Sequence, residues 1–203
     1  MHCTYSKAPE IYPVPNKRQM DRTLDTYTDE EWYAMRATYR RELQAQRLLE
    51  SSGIKCYIPM RKQDRTVGGR RQSTEVPAVH NLIFVRTTRE RLRQFKERVP
   101  FLQYMMDRKG DGKSAPIVVP EKEMDDFMRV LSCCDDAVVE YLPVGERVFL
   151  EGMKVRLHGG PLDGVEGVLA RNGKSKDRKL VVRLSSVLSV ATASVSADSV
   201  EVL

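Results

Sequence analysis

The sequence predicts an α+β protein: a ferredoxin-like split-βαβ unit followed by a small β-barrel. Three observations predict it. Between Trp32 and Leu131 the apolar spacing switches between the strand and helix periods in the order strand, helix, strand, strand, helix, strand, with a short strand and a helix appended. From Gly152 onward, short Val- and Leu-rich runs are separated by Gly, Pro and Asp, without helical spacing. Between these halves, residues 133–150 are acidic and carry Pro143 and Gly145, which marks a linker. The expected organisation is a flexible arm over 1–30, a first domain over 31–132, the linker over 133–150 and a second domain over 151–203.

The elements follow in chain order. The arm packs three prolines into "APEIYPVPNK", which no regular helix tolerates. Trp32 to Ala37 alternates as a strand. Ala45, Leu48, Leu49 and Ser52 fall at helical spacing, and Gly53 stands where a helix stops. Ile54, Cys56 and Ile58 share one face of the next strand, with Lys55 and Tyr57 on the other. Arg61 to Glu75 is polar, basic and carries Gly68-Gly69, so it reads as a long hairpin loop; Ala78 to Arg86 returns as a strand of low charge. Thr87 and Glu90 have capping-box spacing at the head of a second helix, striped by Leu92, Phe95 and Val99 and ended by Pro100. "FLQYMM" and "APIVVP" are strands, and Pro120 opens a third helix with Met124, Phe127, Met128 and Leu131 on one face. In the second domain the expected strands are Lys154–Leu157, Val165–Ala170, Lys179–Leu184, Val187–Val195 and Ser199–Leu203. Gly159-Gly160-Pro161 and Asp163-Gly164 supply turns, and Gly167 is expected to mark a bulge or bend.

Composition narrows the function classes. Charged residues make up 31% and hydrophobic residues 41% of 203, as in soluble globular proteins. No apolar run is long enough to span a bilayer, and the N-terminus lacks the apolar stretch of a signal peptide, so the expectation is a cytoplasmic protein without a membrane partner. Net charge is +6, with the basic residues concentrated over Arg86–Arg98 and the acidic ones over Glu121–Glu140. A basic surface of this kind favours a polyanion partner. The four cysteines and three histidines show no zinc spacing, and no nucleophile–base set or paired-carboxylate site occurs. The expectation is therefore no metal, no cofactor, no catalytic residue and no enzymatic activity.

The stretch "GMKVRLHGGPLDGVEGVLARNG" closely resembles a KOW motif, shared by NusG-type transcription factors and some ribosomal proteins. Upstream, "EWYAMRATYRRELQAQRLLESSGIKCYIPMRK" resembles the start of the NusG N-terminal (NGN) domain, "VHNLIFVR" its segment P-x-Y-x-F-V, and "PIVVP" the segment before its last helix. The resemblance covers residues 31–203 and implies an NGN domain followed by an SH3-like KOW barrel. The divergent arm, the NGN half and the basic hairpin further resemble specialised paralogues of the RfaH or UpxY kind, which serve capsular polysaccharide operons.

That resemblance implies a transcription elongation and antitermination factor whose NGN domain binds the clamp helices of RNA polymerase through an exposed apolar patch and suppresses pausing or termination. Carried over, the patch would comprise Ala34 and Arg36 of the first strand, Val79, His80, Leu82 and Phe84 of the third, and Met124 and Phe127 of the last helix. Arg36 stands where relatives often carry an apolar residue. The same apolar side chains would equally serve to pack the sheet against a helix, because strand faces alternate. Specialised relatives contact the non-template DNA strand near the first helix. Here Tyr39 is a candidate base stacker among Arg40, Arg41 and Arg47, with Arg70 and Arg71 of the loop and Arg93 of the second helix as further candidates. The loop also carries Arg61, Lys62 and Arg65. In relatives the KOW barrel recruits the ribosomal protein with the NusE role, or Rho; the rim here would be His158, Leu162 and Val165. The other reading of the whole chain is a general KOW-type RNA- or ribosome-binding protein.

Overall fold

The computed structural model describes residues 29–108, 114–134, 139–143, 153–171, 178–194 and 199–203. The expected arm lies outside these residues, apart from its last two, and so does most of the expected linker.

The first half is built on an antiparallel sheet of β1 (Glu31–Ala37), β2 (Lys55–Tyr57), β5 (Leu82–Thr87), β6 (Leu102–Tyr104) and β9 (Val118–Val119). The strand order is β2-β5-β1-β6, with β9 also paired to β1. The period of two divides β1 between two cores. Tyr33, Met35 and Ala37 join Ile83 and Val85 on one face, beneath α1 (Glu42–Ser51) and α2 (Arg89–Arg98), which contribute Ala45, Leu49, Leu92 and Phe95. Trp32 and Ala34 join Leu82 and Phe84 on the other, beneath α3 (Glu121–Cys133), which contributes Met124, Phe127 and Val130. Ile54, Ile58 and Cys56 fall on the first side and Tyr57 on the second, as their alternation predicts.

Four expectations change. The α2 N-cap is Thr88, whose Oγ1 accepts from the Arg91 backbone N–H at 3.3 Å; Thr87 is the last residue of β5 and is buried. Residues 78–81 form a turn rather than the start of β5, because Asn81 takes a left-handed φ of 62°. The segment expected as a loop is a regular two-stranded ribbon, β3 (Met60–Val67) paired with β4 (Arg70–Pro77). Gly68 and Gly69, with φ of 58° and 77°, make the two-residue turn that such tight hairpins require. A second, smaller ribbon joins β7 (Met106–Arg108) to β8 (Ser114–Pro116).

The second half is a six-stranded antiparallel sheet, ordered β10-β14-β13-β12-β11-β15. Five strands lie close to the expected positions: β11 (Met153–Leu157), β12 (Glu166–Arg171), β13 (Arg178–Leu184), β14 (Leu188–Ser194) and β15 (Val200–Val202). The sixth, β10 (Glu140–Pro143), comes from the expected linker and pairs with β14. Among the described residues no ladder joins β15 back to β10. The irregular register lies between Lys179 and Val181 rather than at Gly167. Gly167 is instead a point of close approach: a Cβ there would stand 2.7 Å from the Val181 carbonyl oxygen.

Candidate functional site

Two regions take up the sequence-predicted residues. The first is the sheet face under α3. Ala34, Leu82, Phe84, Met124 and Phe127 converge there in one apolar cluster, with Val79 packed against its margin. Phe127 is the centre. Its ring meets Phe84 edge-on at 5.9 Å and Tyr57 at 6.1 Å between centroids. The expectation of an uncovered apolar patch is corrected here: Phe84, Met124 and Phe127 are fully buried, Leu82 and Ala34 nearly or wholly so. The reason is that α3 lies across this face and its apolar stripe points inward. Arg36 and His80 are exposed and Val79 is half-buried, so these three mark the accessible margin.

The outer side of α3 meets the C-terminal sheet, whose Leu157, Val165, Leu184, Val187 and Leu188 belong to the same apolar cluster. A row of polar contacts fixes this junction. Asp126, 5% exposed, takes a salt bridge from Lys122 Nζ at 2.6 Å and a hydrogen bond from the Glu166 backbone N–H at 3.1 Å. Lys122 Nζ also donates to the Gly164 carbonyl at 2.9 Å, and Arg129 Nη1 donates to that of Asp163 at 2.5 Å. The Glu123 carboxylate accepts from the Ser185 N–H at 2.7 Å and its hydroxyl at 2.9 Å, holding Ser185 at a left-handed φ of 44°. Beside the junction, the Arg156 hydrogen bond holds the Glu166 carboxyl below its ordinary pKa.

This arrangement also changes the expected partner rim of the second domain. Val165 is fully buried, Leu162 is half-buried against the shared cluster, and the turn 161–164 rests on α3. Only His158 is exposed, and its Nε2 lies 2.7 Å from the Glu201 carboxylate.

The second region is the end of the first sheet where β1 and β2 finish and β5 begins. Antiparallel pairing of β1 and β2 to β5 brings the β1–α1 turn, the 78–81 turn and the base of the β3–β4 ribbon to this one end. Tyr39 is 85% exposed here. Tyr39 and Arg40 both take left-handed conformations, φ 60° and 55°. The Arg40 backbone N–H donates to Asn81 Oδ1 at 2.9 Å, and the buried Glu42 carboxylate accepts from the Asn81 N–H. Arg41 is less free: its guanidinium lies 4.0 Å over the Phe101 ring and 5.4 Å from that of Tyr39, and Nε donates to the Thr38 carbonyl. Arg47 is exposed farther along α1. Arg93 is tied to Glu90 at 2.9 Å and Glu97 at 3.7 Å, and Arg71 to Asp64 at 3.3 Å. Topology thus gathers Tyr39, Arg40, Arg41 and His80 and leaves Arg47 and Arg93 on helix flanks. Asn81 and Glu42, which position the Tyr39 turn, were missed; an Asn between two runs is the one sequence signal for such a left-handed turn.

Residues 30–128 match the sequence model of a family described as transcription termination factor nusG. The matched stretch is similar to that family over just under half of the chain. It runs from just before β1 well into α3 and takes in Ala34, Leu82, Phe84, Met124 and Phe127 of the apolar face and the Tyr39 turn. A comparison with curated protein sequences gives no match. Among solved structures, one described as domain interaction in Thermotoga maritima NusG is similar at 18% identity, covering 87% of this chain and 98% of that one with a TM-score of 0.43. Among the described residues no helix is long and apolar enough to cross a membrane, and no group of three or more His, Cys, Asp or Glu is placed to hold a metal ion.

Proposed function

We propose that this chain is a transcription elongation and antitermination factor that binds the clamp helices of RNA polymerase through its NusG domain. The observation that carries the reading is the convergence of Ala34, Leu82, Phe84, Met124 and Phe127, with Val79, on one face of that domain. A pair of helices docks on an apolar surface with an aromatic anchor and adaptable methionines, which Phe127, Tyr57, Met105 and Met128 supply around this cluster. Because α3 and the C-terminal sheet close the face, polymerase would enter at the margin marked by Arg36, Val79 and His80 and displace the C-terminal sheet from α3. Exposed Tyr39, with Arg40 beside it, would stack a base of the displaced non-template strand. The second domain, read as a KOW unit, would bind the ribosomal protein with the NusE role, or Rho, through the turn that α3 holds here. A specialised role at long capsule operons would then show as occupancy of one operon in chromatin mapping, and a housekeeping role as signal over most genes.

The test is co-purification with polymerase. Arg36→Glu, Val79→Asp and His80→Asp alter exposed or half-buried positions and should leave the fold intact. Combined, they should lower recovery of polymerase subunits at least tenfold. Recovery of ribosomes in place of polymerase would overturn the proposal in favour of a general RNA-binding protein.

A further inference from the structure

We propose that the β3–β4 ribbon lays one of its faces, carrying Arg61, Arg65 and Arg70, on the phosphate backbone of duplex DNA. The ladder register sorts the ribbon's side chains by face, since directly opposed residues point the same way. One face holds Lys62 opposite Glu75, and Asp64 with Arg71 at 3.3 Å. Its charges are balanced within the hairpin. The other face holds Arg61, Arg65 and Arg70 with Gln63, Gln72 and Thr74, and not one carboxylate. Among the described residues no acidic group pairs with these three arginines. Like charges gathered on one face repel, and an isolated two-stranded hairpin is marginal in water. Yet β4 is exposed from Arg70 to Glu75, and among the described residues of β3 only Met60, at its base, packs on a core. A polyanion laid along the cationic face removes both costs.

The dimensions select the polyanion. Eight residues per strand give a ribbon about 26 Å long, and Arg61 and Arg65 stand about 13 Å apart, the rise of about four base pairs. A two-stranded ribbon is also the width that the major groove admits. Neither strand carries an aromatic residue, so the ribbon lacks the stacking platform by which single strands are held. It springs from the same end of the sheet as Tyr39 and Arg40, so a duplex on the ribbon and an unpaired strand at Tyr39 would meet there.

The proposal deepens the nucleic-acid part of the function above and is independent of polymerase docking. The test uses the full chain, a labelled 25-base-pair duplex and its single strand, with fluorescence anisotropy over a salt series. R61A/R65A/R70A should weaken duplex binding at least tenfold and flatten the logarithmic salt dependence by about 2.7, three phosphate contacts at about 0.9 each. K62A/R71A, on the balanced face, should stay within threefold of the parent. Unchanged circular dichroism and thermal midpoint should accompany both variants. Equal losses in the two variants, no loss in the first, preference for the single strand, or no duplex binding by the parent at low salt would each overturn the proposal. Loss of polymerase co-purification by R61A/R65A/R70A with duplex binding intact would also overturn it, and would make the ribbon a contact for an acidic protein surface. Loss of polymerase by the Arg36, Val79 and His80 variants alone leaves the ribbon's DNA contact standing.

Discussion

Asp126→Ala tests the junction between α3 and the C-terminal sheet. Asp126 is 5% exposed and accepts the Glu166 backbone N–H at 3.1 Å, a donor that points at the helix instead of along its own ladder. Alanine leaves that N–H without an acceptor in the interface, at a cost of about 1–3 kcal/mol. Lys122 adds little, because its side chain is 54% exposed and regains water once the pair is gone. A loss near the middle of that range, about 2 kcal/mol, corresponds to a roughly 30-fold rise in the opened population. Hydrogen exchange resolved at single amides reads this directly: the Glu166 amide should exchange about 30-fold faster, while amides of α2, packed on the far face of the first sheet, should keep their parental rates. Asp126→Asn retains an acceptor oxygen in place and should restore most of the protection. If the Glu166 amide in Asp126→Ala exchanges within threefold of the parent, the junction does not depend on this contact and the reasoning fails. The same variant should recover polymerase more readily than the parent, since it frees the side of α3 that the C-terminal sheet closes.

Three further predictions rest on single side chains. Gly167→Ala drives a methyl group to 2.7 Å from the Val181 carbonyl, a backbone atom that cannot rotate away, and should cost about 1–3 kcal/mol in urea unfolding of the C-terminal half. Burial, with Glu50 nearby, pushes the Cys56 thiol up to about 11, so at pH 8 a thiol reagent should label exposed Cys133 at least tenfold faster than Cys56; peptide mapping checks this. The Glu166 carboxyl sits below its ordinary 4.5 because Arg156 hydrogen-bonds it, so its stabilisation is complete above about pH 4.5 and vanishes as pH falls through the lower folded value. Glu166→Gln should therefore cost at most about 1 kcal/mol at pH 7, as for other exposed pairs, and nothing once acid has protonated the parent.

Periodicity and punctuation carry the elements of this protein. Alternation in "EWYAMRA", the stripe Met124–Phe127 and the short Val- and Leu-rich runs after Gly152 are local facts, and local geometry obeys them. The resemblance of residues 31–132 to an NGN domain was also readable, because the motifs stand in order along the chain. Other features required the fold. The segment Arg61–Glu75 is as polar as a loop, and only its register shows a ribbon with a balanced and an unbalanced face. Thr87 and Thr88 offer equivalent hydroxyls, and the choice between them falls on the length of β5. Above all, alternation names the residues that share a sheet face but not what covers that face. Ala34, Leu82 and Phe84 were identified together from the sequence, yet whether they lie open or closed depends on α3 and on a sheet more than sixty residues downstream. Local propensity acts over a few residues, whereas coverage is set by contacts between segments that only the folded chain brings together.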